Sequence, residues 1–200
     1  MGGMIKSWSA RLRAFPTAVG GMSSVEFAFI LPVFIAFMMG SAIIFDGARA
    51  LRQVSTAAAT VSDLATRLET MDDGMRDSIF TTAEALMGSY ADNSVYNIII
   101  TSVANELGDG VDTLEVVWSE AKIAGTARND ADLGNYSFPE IPDGESLVMV
   151  EIDLTYTPVF NAKGMASSIL LDEVAMRRPR FVNEVCYEIS EVQQTCSSNN

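Results

Sequence analysis

Apolar and polar positions alternate along this chain with three different periods, and each predicts a different kind of element. Residues 27–45 carry nineteen positions without a charge. At 1.5 Å of rise per residue that run makes about 28 Å of helix, enough to cross the hydrocarbon of a bilayer. Pro32 and Gly40 lie inside it, and both are tolerated in membrane helices. The pattern then becomes amphipathic: Ala48, Leu51, Val54, Ala58, Val61, Ala65 and Leu68 recur at steps of three and four, with Arg49, Arg52, Gln53, Asp63 and Arg67 between them. One helix from about Ser24 to Thr70 is therefore expected, with its first half in lipid and its second half against a folded domain.

Residues 71–75 break the helical period, and Asp72 or Asp73 is placed to cap a second helix. That helix is expected to run to about Met87, with Met75, Ile79, Ala83 and Leu86 on its buried side. Beyond it the period shortens to two. Segments 95–104, 114–123 and 147–157 are rich in β-branched and aromatic residues and predict strands. In the third, Val148, Val150, Ile152, Leu154 and Tyr156 face one way and Glu151, Asp153, Thr155 and Thr157 the other, which predicts one buried and one wet face. The tail, with Arg177, Arg178 and Arg180 ahead of Phe181, Val182 and Val185, reads as a solvated basic turn followed by a short final strand or strapped coil, with pairing of the three bases to the acidic domain or a partner as the alternative. The expected fold class is α+β: a long N-terminal helix, half membrane-spanning and half amphipathic, packed on a small domain with a three- to four-stranded antiparallel sheet.

Charge orients this arrangement. Before Glu26 the only charged residues are Lys6, Arg11 and Arg13, whereas residues 46–200 hold 25 acids against 10 bases, a net charge of −15. Basic flanks stay cytoplasmic, so the N-terminus is expected in the cytoplasm and the acidic remainder across the membrane. Such acidity argues against nucleic acid as a partner. Residues 1–21 read as a short cytoplasmic leader, residues 22–70 as the long helix with its transmembrane part at 27–45, and residues 71–200 as an exported domain. A cleaved secretory signal is the competing reading, because Ala48-Arg49-Ala50 has the small-x-small form of a cleavage site. The apolar run is longer than a signal core, however, and Asp46 and Arg49 sit where small neutral residues belong.

The chain has no histidine, which removes His-based triads and the usual zinc sites. No nucleophile has an evident base, so an enzyme is not expected, nor is a cofactor. Asp130, Asp132 and Gly134 match part of a calcium loop, but the distal Glu is missing, and an acidic surface loop without a metal is the reading retained. Cys186 and Cys196, ten positions apart in an exported tail, are expected to form a disulfide.

A short basic leader ending in Gly21, a Glu at the fifth position after it and a long apolar helix together resemble type IV pilins and pseudopilins. More narrowly, GMSSVEFAFILPVF, VMVEIDLTYTPVF and the RRPR that follows are similar to TadE-like pseudopilins of the tight-adherence (Flp) type IV pilus system. The resemblance implies that Gly21 is the last leader residue, Met22 the first residue of the mature chain, and Glu26 the carboxylate that pairs with a freed N-terminal amine during assembly. It implies a minor component of Flp pilus assembly, processed by a prepilin peptidase and held in the bacterial inner membrane as a single-pass protein with a periplasmic domain. Other pilins and pseudopilins, the inner-membrane assembly platform and the lipid bilayer are then its partners. The alternative is an uncleaved single-span anchor whose periplasmic domain binds other partners.

Overall fold

In the computed structural model, described at residues 22–105, 114–158, 168–190 and 193–196, the chain divides into two units, Met1–Ile44 and Phe45–Asn200. One α-helix, α1 (Met22–Ala65), contributes to both and runs through Pro32 and Gly40 without interruption. In the first unit its apolar side chains are uncovered: Phe29 is 74% exposed and Phe37 70%. This is the one helix, among the described residues, long and apolar enough to cross a membrane by length and composition.

In the second unit α1 turns a stripe of small residues inward. Ala50, Val54, Ala57, Ala58, Val61 and Ala65 are all fully buried. The predicted stripe is thus right from Val54 onward but starts a step off, because Ala48 and Leu51 are exposed and Ala50 takes the inward position. The helix also stops five residues short of Thr70. No Gly or Pro ends it; a tertiary contact does. Arg67 and Leu68 tighten into bonds to the carbonyls of Leu64 and Ala65, and the Arg180 backbone N–H donates to the carbonyl of Thr66 at 3.0 Å. The chain is then free to form β1 (Thr70–Met71), parallel to β6 (Cys186–Ser190), which also pairs antiparallel with β7 (Gln193–Thr195). The expected disulfide is present: Cys186 and Cys196 are bonded, with Cα atoms 4.7 Å apart.

Helix α2 (Asp73–Met87) begins where expected. Asp72 accepts from the Met75 N–H at 2.7 Å, satisfying a donor of the first turn. Its buried residues are Ile79, Phe80, Ala83 and Met87, so of the predicted side Ile79 and Ala83 are buried, Leu86 is partly buried against the core, and Met75 is 40% exposed. Gly88, at φ 58°, reverses the chain into the short helix α3 (Ser89–Asn93).

The main sheet has the order β3-β2-β4-β5, formed by β2 (Val95–Asn105), β3 (Leu114–Ala121), β4 (Ser146–Tyr156) and β5 (Ile169–Arg177), with every pair antiparallel. The fold is accordingly α+β. Val148, Val150, Ile152, Leu154 and Tyr156 join the core that holds the inward stripe of α1 and α2, as their alternation predicts. The opposite face is not uniformly wet. Leu147, Met149 and Glu151 are buried there beneath a second small core built with Ile141, Tyr136 and Phe138. The loop before β4 turns back over the sheet, and a 3₁₀ helix (Asp130–Asn135) buries Leu133. Asp130 accepts the Val116 N–H at 2.7 Å and Asp132 accepts that of Asn129 at 3.0 Å, so these carboxylates organise backbone.

The basic tail is a clasp instead of a solvated turn. Arg180 pairs with Asp63 on α1, Arg177 lies 3.9 Å from the same carboxylate, and Arg178 pairs with Glu145 at 3.4 Å.

Candidate functional site

Glu26 is the only charged residue between Met22 and Phe45. It sits in the second turn of α1, exposed, between Val25 and Phe27, which are 57% and 62% exposed. Among the described residues it has neither a hydrogen bond nor an ion pair. An ionised carboxylate at the head of an uncovered apolar helix is costly in lipid unless a cation meets it, and none pairs with it among the described residues. Met22 is the first residue of α1, four positions before Glu26 and about 6 Å along the axis. Gly21 and the expected leader, residues 1–21, lie outside the described residues. Of the expected site residues, the fold therefore places Met22 and Glu26 on one helix end, Cys186 in the small sheet of the other unit, and its bonded partner Cys196 just past the last strand of that sheet.

A second polar centre, not foreseen from the sequence, lies one residue beyond the apolar run. Asp46 accepts the phenol of Tyr156 at 2.6 Å and that of Tyr90 at 2.7 Å. The two rings meet edge to face with centroids 6.1 Å apart. Three elements distant in sequence, α1, α3 and β4, are thus tied at the point where the helix enters the domain. The Tyr156 and Tyr90 hydrogen bonds, with help from the Arg49 charge, hold the Asp46 carboxyl below its ordinary range. Burial and the bond to Asp46 push Tyr90 up to about 12. Since the folded value is depressed, the stabilisation is complete above the ordinary carboxylate value near 4 and is lost as pH falls through the folded one. Asp46→Asn should therefore cost about 1–2 kcal/mol of domain stability at neutral pH. The gap to wild type should close below pH ~4. Thermal unfolding of both proteins across pH 2.5–7.5 reads this directly; a gap that is constant with pH would mean the charge of Asp46 contributes nothing.

A third polar group is buried in the sheet. Glu151, only 3% exposed, accepts from Arg128 Nε at 2.7 Å, and burial together with the bond to Glu151 pushes the Tyr136 phenol up to about 12. Nothing in the strand alternation marks Glu151 as internal, because the cover comes from a loop. Among the described residues no group of three or more Cys, Asp or Glu is arranged to hold a metal.

No family model, no curated protein and no solved structure matches the chain.

Proposed function

We propose that this chain is a non-enzymatic minor component of Flp-type pilus assembly, similar to TadE-like pseudopilins, held by α1 in the bacterial inner membrane with its acidic unit in the periplasm. The observation that carries the reading is Glu26: a single exposed carboxylate, without a partner among the described residues, at the head of the uncovered stretch of α1 that is otherwise uncharged as far as Phe45. A plain anchor gains nothing from that charge. An assembling subunit does, because removal of the leader after Gly21 creates an ammonium on Met22, with a pKa near 8, which can meet Glu26 of the same or a neighbouring copy. Helix-to-helix association of the apolar halves then bears the contact area, and the carboxylate fixes axial register. Prepilin peptidase, other pilins and the assembly platform are the partners this implies. The acidity of the exported unit keeps nucleic acid out of that set.

The test is the intact mass and N-terminal sequence of membrane-extracted protein from cells with and without a prepilin peptidase. Peptidase-competent cells should yield a chain starting at Met22, and cells lacking the enzyme should yield Met1. A Met1 start in both would make the chain an uncleaved single-span anchor with a periplasmic binding domain.

A further inference from the structure

The bases of the exported unit are almost entirely committed to its own carboxylates. Of the nine described there, Arg67, Arg76, Lys122, Arg128, Arg177, Arg178 and Arg180 all form ion pairs. Arg49 and Arg52 form none among the described residues, in a unit of net charge −15. Both lie within two helical turns of Phe45, the last residue of the apolar run. Arg49 stands about 6 Å past Phe45 along the helix, the depth of a lipid headgroup when residues 27–45 fill the hydrocarbon.

Arg49 also lines a cavity of about 450 Å³ together with Asp46, Gln53, Tyr90 and Tyr156. The acceptors in that cavity are not all used. Asp46 receives one phenol on each oxygen, leaving lone pairs free on a carboxylate that can accept about four bonds. Gln53 Oε1 is buried with no hydrogen-bond partner among the described residues, a costly state for a polar atom. The cavity thus sets an unpaired guanidinium beside unfilled acceptors, and two tyrosines close its wall. That is the complement of a zwitterion whose cation carries N–H groups.

We propose that this cavity is a phospholipid site selective for an ethanolamine headgroup, with the phosphodiester on Arg49 and the primary ammonium shared between Asp46 and Gln53 Oε1. A guanidinium presents paired donors to phosphate oxygens. A primary ammonium supplies three donors to the two acceptors, whereas the quaternary ammonium of a choline headgroup supplies none. A glycerol headgroup brings no cation to the carboxylate. The assignment rests on the reading of residues 27–45 as a membrane span and is independent of pilus assembly.

The experiment uses the full chain in nanodiscs of equal parts phosphatidylethanolamine, phosphatidylcholine and phosphatidylglycerol, followed by transfer to detergent and mass spectrometry of the lipids retained. Insertion into the disc reads the membrane span; composition of the retained lipid reads the cavity. Wild type should retain the ethanolamine lipid about fivefold over the choline lipid, the scale of one partly exposed ion pair. Asp46→Asn should bring that ratio near one, Arg49→Gln should lower retention of both zwitterionic lipids while leaving their ratio near the wild-type value, Arg49→Lys should restore most of that retention, and Arg52→Gln, outside the cavity, should change neither. Equal retention of the two zwitterionic lipids, preference for the glycerol lipid, or equal damage from Arg52→Gln would overturn the assignment. Soluble glycerophosphoethanolamine at millimolar concentration should displace little lipid; full displacement would make the ligand a free phosphodiester and overturn the lipid source.

Discussion

Replacing Glu26 by alanine is expected to leave the protein in the membrane and to abolish its incorporation into a filament. Insertion survives because the substitution only extends an apolar run already long enough to span the bilayer. On the proposed function assembly then fails, because the ammonium that removal of the leader would create on Met22 is left in low dielectric without its counter-charge. Stranding one member of a buried pair costs about 3–5 kcal/mol, two to four orders of magnitude in an association constant. A surface pair would be worth at most about 1 kcal/mol, so the size of the defect also reports how dry the contact is. The measurement is membrane fractionation, leader cleavage and surface piliation in cells whose only copy carries the variant. Wild-type piliation by Glu26→Ala cells would remove the carboxylate from assembly and favour the anchor reading.

Arg128→Ala is expected to be the most damaging single change within the sheet domain. Arg128 is partly exposed, but its partner Glu151 is 3% exposed, so the substitution strands a carboxylate inside the small core under the 125–145 loop, with Tyr136 as its remaining donor. The cost should be about 3–5 kcal/mol. For a domain of this size that lowers the melting temperature by roughly 6–20 °C. Replacing both partners, as Arg128→Met with Glu151→Leu, removes the charge together with its counter-charge and should fall close to wild type. Urea unfolding followed by Trp118 fluorescence, in a Trp8→Phe background, separates these cases. A loss below about 1 kcal/mol for Arg128→Ala would show that water reaches Glu151.

The parts of the fold that were legible in the sequence are those set by local periodicity. Strands β2 and β4 and the start of α2 at Asp72 follow from alternation and from one capping side chain. Elements set by distant partners were not legible. The end of α1 depends on Arg180, more than a hundred residues away, and β5 carries Asp172 and Glu173 on an exposed edge that weakens its apolar signal. For the same reason Glu151 read as a solvent-facing residue of β4: its neighbours in the strand are ordinary, and its cover is a loop whose path no period announces. Of the polar centres, Glu26 stood out because a charge beside nineteen uncharged residues is conspicuous in one dimension. Asp46 did not, since its two tyrosine partners lie 44 and 110 positions away.

The two-residue pairing of β1 with β6 sets a timetable for the ribosome. Thr70 must wait for Cys186, 116 positions later in the chain, before its backbone groups find their partners. At roughly 5–20 residues synthesised per second, that interval is on the order of ten seconds. Within it β2, β3 and β4 emerge in turn and β5 only just before Cys186, so most of the main sheet can pair while the seam at β1 stays unmade. β6 consequently arrives after every strand of the main sheet, and a chain truncated before Cys186 would keep that sheet yet leave Thr70 and Met71 without their neighbours.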